Sequence, residues 1–336
     1  MKTTATTTTT PASTNTAKEH VPLNASLVPH PLSNAFRYIN LYTDSQESTP
    51  HVLVVSLARP QKRNALNARL WKEIGQLFRH EIGSSLNKGI ASVRSVLLVG
   101  EGKAFCAGID VSDASFFPAT PAVQALRGDD EDDDTTYDVA YTGLQFLPLL
   151  REMQACFTAL EQCPVPIVAA VHGSCIGAGV DLVTAADVRL TTADAVWCVK
   201  EVVLGLAADV GTLQRLPKIC GNQAWVRDIC LTGREFKGQE AAEYGLVTGK
   251  PLVDQAAVVA AGLELCRTMA HHNPVAVRGT KQALLYTRDH SVLDSLEQIA
   301  AYNILALQSP QMMEGMQARL TGNEPVFRDL PPSSRL

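Results

Sequence analysis

Acidic residues within apolar sequence are the first candidates for chemistry in this chain. Glu201 and Asp209 lie in the segment VKEVVLGLAADVGTLQRL, and Asp181 ends the glycine-rich segment HGSCIGAGVD. A carboxylate is costly to bury without a partner, so each of these side chains needs a hydrogen bond, a counter-ion or a bound proton. Because positioned carboxyl groups can donate or accept protons during a reaction, the three residues are candidates for acid-base catalysis.

Two small-residue segments accompany these acids. Residues 102–111 (GKAFCAGIDV) follow a predicted strand, and glycines at such a turn let the backbone approach a ligand closely. Residues 172–181 follow another predicted strand and open a helix, whose free N-H groups suit an oxyanion or a phosphate. The chain has no Gly-Lys-Ser/Thr motif and no complete GxGxxG motif, but a nucleotide site built on glycine turns remains an alternative.

The elements that must position these residues alternate between strand and helix. The pattern of residues 51–57 (HVLVVSL) is typical of a buried strand, and Asn67 can cap a helix whose apolar residues begin at Leu70. Residues 93–99 (VRSVLLV) predict a second strand. The order strand, helix, strand favours parallel pairing of the two strands.

The same alternation continues to about residue 250. Further along, only helical patterns are found, so the last third of the chain is predicted to be an α-helical region. The predicted elements beyond the second strand are a helix at 143–162, a strand at 167–171 and helices at 254–271, 275–287, 291–308 and 310–320. Periodicity is lost near 112–141, where the run DDEDDD indicates a solvated insertion.

Composition excludes several functional classes. The 336 residues carry a net charge of −5 with 29 scattered Lys and Arg, so we expect no nucleic-acid partner. No apolar stretch reaches the roughly 18 residues of a membrane span. The eight cysteines form no CxxC pair, and the adjacent His271 and His272 are expected to be structural, so we expect no metal site.

At three places the sequence resembles the enoyl-CoA hydratase/isomerase (crotonase) superfamily. The segments AFCAGID, HGSCIGAGVDLVTAADVRL and VKEVVLGLAADVGTLQRLPKICGNQ have the order and spacing of the family blocks, and the resemblance spans roughly residues 50–310. It implies an α/β fold, a spiral of βαβ turns over residues 46–253. It also implies a helical oligomerisation region over 254–330, assembly as trimers or hexamers, and a coenzyme A thioester substrate without a separate cofactor.

The resemblance also assigns backbone roles. The N-H groups of Ile109, after Gly108, and of Ala178 would hold the thioester oxygen; the family usually has glycine where Ala178 stands, so a helical φ is expected there. The RPQKRNALN segment resembles the loop that lies along the adenine and pantetheine. The substrate-binding residues that this implies are Ala107, Gly108, Ile109, Asp110, Val111, Ala65 and Arg63, with Lys62 as an alternative to Arg63 for a phosphate.

The acids indicate which reaction the chain catalyses. A dienoyl-CoA isomerase resembles it at Asp181, Glu201 and Asp209, whereas a hydratase has a second Glu in place of Asp181 and no acid matching Asp209. The resemblance therefore implies conversion of 3,5-dienoyl-CoA to 2,4-dienoyl-CoA in the β-oxidation of unsaturated fatty acids. Asp209 is assigned as the base at C2, Glu201 as the proton donor at C6 and Asp181 as the residue that holds the protonation pattern; the first two roles are interchangeable on sequence grounds.

Each acid also has a structural alternative. Asp181 could be only a hydrogen-bonded helix residue, Glu201 could pair with Arg189 or Lys200, and Asp209 could cap a helix that begins near Gly211. Two other functions stay open as well, a 2-enoyl-CoA hydratase and a catalytically silent scaffold or RNA-binding module.

The two ends of the chain are interpreted as targeting or tail sequence. Residues 1–45 are expected to be a disordered, Thr-rich extension, which leaves mitochondrial targeting open. Residues 331–336 are expected to form an exposed tail. Its Ser334, Arg335 and Leu336 are a conservative variant of the Ser-Lys-Leu address, so we expect binding to a peroxisomal import receptor and a location in the peroxisome or a related microbody.

Overall fold

The computed structural model of the protein describes residues 26–45, 51–82, 92–117 and 138–329. The DDEDDD run of the predicted insertion and the Ser334-Arg335-Leu336 tripeptide both lie outside these residues. The same is true of the Thr-rich start of the chain.

Nine strands are found in these ranges and form two sheets. They are β1 (Leu27–Pro29), β2 (Ile39–Asp44), β3 (Val52–Leu57), β4 (Ser95–Gly100), β5 (Ile167–Val171), β6 (Ser174–Ile176), β7 (Val188–Thr191), β8 (Val196–Cys198) and β9 (Phe236–Lys237). The larger sheet has the order β1-β2-β3-β4-β5-β7, and the smaller has the order β6-β8-β9. β1, β2 and β3 pair antiparallel, whereas β3, β4, β5 and β7 pair parallel.

Ten α-helices accompany these strands within the described ranges. They are α1 (Ala68–Gln76), α2 (Val139–Glu161), α3 (Ala178–Thr184), α4 (Thr212–Ile219), α5 (Gln223–Thr232), α6 (Gly238–Glu243), α7 (Gln255–His271), α8 (Pro274–Thr287), α9 (Val292–Ala306) and α10 (Pro310–Leu320). Among the residues that the structure describes, no helix combines the length and the apolar character that a membrane span requires.

The predicted α/β architecture is confirmed at its centre. Every residue of β3 and β4 is buried, and the two strands pair parallel with Val54 opposite Leu97. Asn67 caps α1 as predicted, because its side chain accepts a hydrogen bond from the N-H of Leu70 at 2.9 Å. The four C-terminal helices begin and end within two residues of their predicted bounds.

The boundary expected at residue 45 is wrong. Residues 26–45 are not a disordered extension in their described part, since β1 and β2 add two antiparallel strands to the edge of the large sheet. β2 is apolar enough to be buried, with Ile39 and Leu41 both fully covered. A three-residue strand and a 3₁₀ turn carry too little periodicity to be detected in the sequence, which explains the error.

Two apolar clusters lie on opposite faces of the large sheet. One lies among β3, α1, α2 and the smaller sheet, and includes Trp71 stacked on Phe157. The other packs α7 against the sheet through residues such as Val258 and Leu263. Because the sheet is covered on both faces, the segments that leave the carboxyl ends of its parallel strands are held in defined positions.

Candidate active site

The first component of the site is the loop after β4. The Leu66 N-H donates to the Gly108 carbonyl at 2.8 Å, and the Asp110 N-H donates to the Leu66 carbonyl at 2.9 Å. This bridge turns the intervening Ile109 N-H away from Leu66. Gly108 has a φ of +94°, and a Cβ there would lie 2.9 Å from the Ile176 carbonyl, so this turn needs glycine.

The second component is the start of α3. Ala178 is its first residue and has no positive φ, in agreement with the helical φ expected there. A Cβ built on Gly108 would lie 3.8 Å from the Ala178 nitrogen, so the two loops meet at this point. Within the described ranges, neither the Ile109 N-H nor the Ala178 N-H donates to a protein acceptor. Two adjacent, unused N-H donors are the arrangement that stabilises an oxyanion.

Asp181 lies one turn further along α3 and is completely buried. Its Oδ1 accepts a hydrogen bond of 2.5 Å from the N-H of Thr212, the first residue of α4. Its Oδ2 has no hydrogen-bond partner among the described residues. The structural alternative for Asp181 therefore accounts for one carboxyl oxygen and leaves the other unexplained.

Glu201 begins the 3₁₀ turn Glu201–Leu204 that follows β8. Its carboxyl lies against Gly177, because a Cβ on that glycine would be 3.1 Å from Oε1. Its Oε2 is buried and has no partner in the described part of the chain. The alternative pairing with Arg189 is wrong, since that guanidinium donates instead to the carbonyls of Leu246 and Ala186 at 2.8 and 2.7 Å.

Asp209 lies in the loop between the 3₁₀ turn and α4. The capping alternative is wrong for this residue, because Gly211 occupies the N-cap position and no side chain caps the helix from there. Asp209 is exposed and lines a cavity of about 530 Å³ together with residues of α2 and α4 such as Gln154 and Arg215. Asp181 and Glu201 do not line this cavity, and Asp209 is related to them through its charge, which contributes to the raised pKa of each.

The pKa values of all three carboxyls are raised. Burial, opposed by the hydrogen bonds from Thr212, raises the pKa of Asp181 to about 6, and the charge of Asp209 adds to the increase. Burial and the charge of Asp181 raise the pKa of Glu201 to about 7. Neighbouring protein atoms also partly desolvate Asp209 and raise its pKa. The charges of Asp181 and Asp209 both contribute to the raised pKa of Glu201, so the site can retain a proton near neutral pH.

The predicted coenzyme A loop is shaped by a buried asparagine. Arg63 and Asn64 both have left-handed backbones, with φ of 49° and 56°. The Asn64 amide donates to the carbonyls of Glu101 and Ala104 at 2.8 Å each, which fixes this loop against the loop after β4. Arg63 and the neighbouring Lys62 are exposed, so both remain available to a phosphate.

Other predicted substrate-binding residues also serve the protein's own structure. The Asp110 carboxylate accepts from Arg59 at 3.0 Å, and both residues are buried. The Ala65 carbonyl also accepts from Arg59, while the Ala107 N-H donates to the Arg63 carbonyl at 2.9 Å. Val111 is exposed beside them. The Arg59 role was missed in the sequence, where only its position before Pro60 at the end of a strand marked it.

We found no group of His, Cys, Asp and Glu residues suited to a metal ion within the ranges that the structure covers. His271 contacts Glu324 at 3.1 Å, which accounts for one member of the histidine pair. The eight cysteines are free thiols, seven of them buried. The three carboxyl groups with raised pKa values and the two N-H donors of Ile109 and Ala178 suit proton transfer beside an oxyanion.

Comparisons with known proteins identify the family of the chain. The family model for enoyl-CoA hydratase/isomerase matches residues 47–125 and 148–329. The human mitochondrial Δ(3,5)-Δ(2,4)-dienoyl-CoA isomerase is 42% identical over 82% of this chain and 77% of its own length. The peroxisomal protein of the same name from Arabidopsis thaliana is 34% identical over 88% of this chain and 99% of its own.

Solved structures show the same fold. The crystal structure of an enoyl-CoA hydratase from Bacillus anthracis superposes with a TM-score of 0.70 at 25% identity, covering 87% of this chain and 99% of that one. That of a hydratase-like protein from Thermobifida fusca, in complex with CoA, has a TM-score of 0.64 at 26% identity and covers 80% and 93% of the two chains. The crotonase fold expected from the sequence is confirmed, and the chain belongs to the enoyl-CoA hydratase/isomerase family.

Proposed function

We propose that this protein isomerises 3,5-dienoyl-CoA to 2,4-dienoyl-CoA in the β-oxidation of unsaturated fatty acids. The observation that carries the proposal is the grouping of Asp181, Glu201 and Asp209, all with raised pKa values, around one site. The unused N-H groups of Ile109 and Ala178 support it. Relatives named dienoyl-CoA isomerase, 34 to 42% identical to the chain, support it as well.

The reaction begins at C2 of the acyl chain, beside the thioester. Asp209, ionised, takes a C2 proton, and the electron pair left behind moves onto the thioester oxygen. The N-H groups of Ile109 and Ala178 donate hydrogen bonds to this oxyanion, and one such donor lowers the barrier by roughly 3 kcal/mol. The negative charge is delocalised through both double bonds as far as C6.

The reaction ends when C6 receives a proton. Glu201, protonated at the start, donates it, and the double bonds move from C3 and C5 to C2 and C4. Glu201 then carries the charge that Asp209 held before, so one proton transfer between the two acids, through solvent, restores the enzyme. The buried Asp181 carboxyl makes ionisation of Glu201 costly, which keeps the proton on Glu201 until the dienolate is formed.

We propose that no separate cofactor takes part, because proton removal, charge stabilisation and proton return are all supplied by these residues. Coenzyme A enters as part of the substrate. Arg63 or Lys62 would meet one of its phosphates, and the backbone around Ala65 and Ala107 would lie along the pantetheine. A similar protein from Thermobifida fusca was crystallised in complex with CoA, which supports coenzyme A as a ligand of this fold.

We further propose assembly as a trimer or a hexamer through the C-terminal helices. Large apolar side chains are exposed along α8 to α10 of the single chain, and a monomer rarely exposes so many of them together. They include Leu284, Val292, Leu293, Leu296, Ile304, Leu305, Met313 and Leu320.

The location is proposed from the names of relatives and from the C-terminal tripeptide. Relatives of the chain carry both mitochondrial and peroxisomal names. We propose the peroxisome, with Ser334-Arg335-Leu336 as the address read by an import receptor. A fluorescent protein fused ahead of a chain that ends at Leu336 should enter peroxisomes, and loss of the last three residues should leave it outside. Unchanged peroxisomal import after the deletion, or delivery of the intact fusion to mitochondria, would exclude this assignment.

The activity is tested by ultraviolet absorbance with two substrates. With 3,5-octadienoyl-CoA we expect rapid appearance of the conjugated 2,4-dienoyl chromophore, and with crotonyl-CoA we expect little hydration. Rapid hydration without the diene shift would identify a 2-enoyl-CoA hydratase instead. Lack of turnover on both substrates, together with tight RNA binding, would identify a silent scaffold.

The base is tested by Asp209→Asn. This variant should lose isomerisation by several orders of magnitude while its affinity for coenzyme A stays unchanged, because the amide cannot accept the C2 proton. Asp194→Asn, at another exposed aspartate, is the matched control and should keep wild-type turnover. Wild-type turnover by Asp209→Asn would show that another residue removes the C2 proton.

A further inference from the structure

One face of α2 is directed at the loop that carries Asp209. The residues concerned are Gln154, Thr158 and Glu161, spaced by four and three positions, which places them on one side of a helix. The Gln154 amide donates to the Asp209 carbonyl at 2.7 Å. Thr158 and Glu161 contact the same region through Arg215 of α4.

Arg215 is fixed in place by several hydrogen bonds. Its Nε and Nη2 bind the two carboxylate oxygens of Glu161 at 3.0 and 3.3 Å, and Nη2 also reaches Thr158 at 3.3 Å. Its Nη1 faces the Val210 carbonyl at 3.4 Å. Both Arg215 and Glu161 are at least nine-tenths buried, so this two-point ion pair is a rigid support.

Gly211 allows the guanidinium to come this close. A Cβ on Gly211 would lie 1.8 Å from Nη1 of Arg215, and its φ of +142° is in the region that favours glycine. The next residue, Thr212, donates its N-H to Asp181. The backbone from Asp209 to Thr212 is therefore held at three points, by Gln154, by Arg215 and by Asp181.

We propose that Gln154 is a positioning residue for the reaction, and that Arg215 with Glu161 supports the same loop from behind. The inference rests on the proposed function, because it concerns the Asp209 carboxylate as the base at C2. Gln154 binds only the backbone of Asp209 and acts on the reaction through that residue. Its amide fixes the distance from the carboxylate to C2, to which proton transfer is steeply sensitive.

The test is Gln154→Ala in the full-length enzyme. Gln154 is exposed on a helix and alanine is the best helix former, so folding should be preserved and Tm should not fall. A displacement of about 1 Å at a reacting group can cost on the order of 100-fold in rate, and we expect a fall of roughly 10-fold in kcat from the loss of one of three supports. KM and coenzyme A affinity should stay unchanged, because Gln154 binds no part of the substrate.

A second variant and a control separate positioning from a general structural role. Gln154→Glu replaces the donor by a carboxylate beside Asp209, so the ascending acidic limb of the kcat profile should move to higher pH. Gln308→Ala removes an exposed glutamine, two residues beyond the end of α9, whose side chain donates to the Ile304 carbonyl at the same 2.7 Å, and it should leave kcat unchanged.

The outcomes distinguish this inference from the proposed function. If Asp209→Asn abolishes turnover but Gln154→Ala keeps kcat within twofold of wild type and Gln154→Glu leaves the pH profile unmoved, the positioning role is refuted and the isomerase proposal stands. A fall in kcat that is matched by a fall in Tm would assign Gln154 to folding and would also refute it. If Asp209→Asn keeps wild-type turnover, the proposed base itself is wrong.

Discussion

Replacement of Asp181 by asparagine should stabilise this protein at alkaline pH. Asp181 is fully buried, and its pKa is raised from an ordinary 3.8 to about 6, first by burial. The native state therefore binds this proton more tightly than the unfolded state does. The sign of the effect follows: the free energy of unfolding decreases as pH rises from about 4 to about 6, and the loss is complete above that range.

The shift in the pKa of Asp181 determines the size of the expected gain in the free energy of unfolding. A difference of about 2 units corresponds to roughly 3 kcal/mol at pH 8, and the part shared with Glu201 reduces the expected gain to about 2 kcal/mol. Asparagine is neutral at every pH and keeps an oxygen where Oδ1 accepts from Thr212, so the contact at 2.5 Å can persist. At pH 4 the gain should shrink to a small fraction of this value, because Asp181 is then protonated in the native state and in a substantial part of the unfolded chains.

The assay is denaturant unfolding of wild type and Asp181→Asn at pH 4 and pH 8, at one protein concentration because an oligomer's stability depends on it. The expected result is a gain in the free energy of unfolding of the variant that is much larger at pH 8 than at pH 4. An equal gain in the free energy of unfolding at both pH values would mean that the variant is stabilised by better packing and not by loss of the ionisable group. A variant that is less stable at pH 8 would refute the assignment of Asp181 as a destabilising buried acid.

Two further predictions concern catalysis at the same site. Glu201 must be protonated to donate to C6, and burial and the charge of Asp181 raise its pKa to about 7. We therefore expect kcat to fall as pH rises through about 7. A flat profile of kcat between pH 6 and 9 would contradict the role of Glu201 as the acid. Ala178→Pro should lower kcat by roughly 100-fold or more, because proline is tolerated at the first position of a helix yet lacks the N-H. Ala178→Gly keeps the N-H donor and should keep the wild-type rate. Equal rates for the two variants would exclude this N-H from the oxyanion site.

Local patterns predicted most of the fold. The strand at 51–57, the Asn67 cap and the four C-terminal helices follow from apolar periodicity and capping chemistry, which depend on neighbouring residues. The pairing of β1 with β2 was missed because both strands gain their stability from the sheet edge to which they attach. β1 has only three residues, and half of the six residues of β2 are polar, so neither segment shows a clear apolar pattern in the sequence.

The sequence indicated candidate residues of the site but not the contacts that hold them in place. Residue types and family blocks led to the proposal of Ile109, Ala178 and the three acids. The contacts that hold them depend on long-range geometry: Asp181 accepts from a residue 31 positions away, and Arg59 reaches Asp110 across 51 positions. No local pattern encodes which buried cation meets which acid, so Arg59, Gln154 and Arg215 could be found only in the folded chain.

The two carboxyl oxygens of Asp181 allow this residue to have a structural role and an electrostatic role at once. Oδ1 accepts the first N-H of α4, immediately after the loop that carries Asp209, and Oδ2 is left unpaired in the described site. Protonation can occur at Oδ2 without loss of the contact at Oδ1, so the position of the Asp209 loop need not change when the site titrates. A longer side chain at this position would shift one contact or the other. Aspartate therefore lets one residue hold α4 in place while it raises the pKa of Glu201, which suits the proton donor of the proposed reaction.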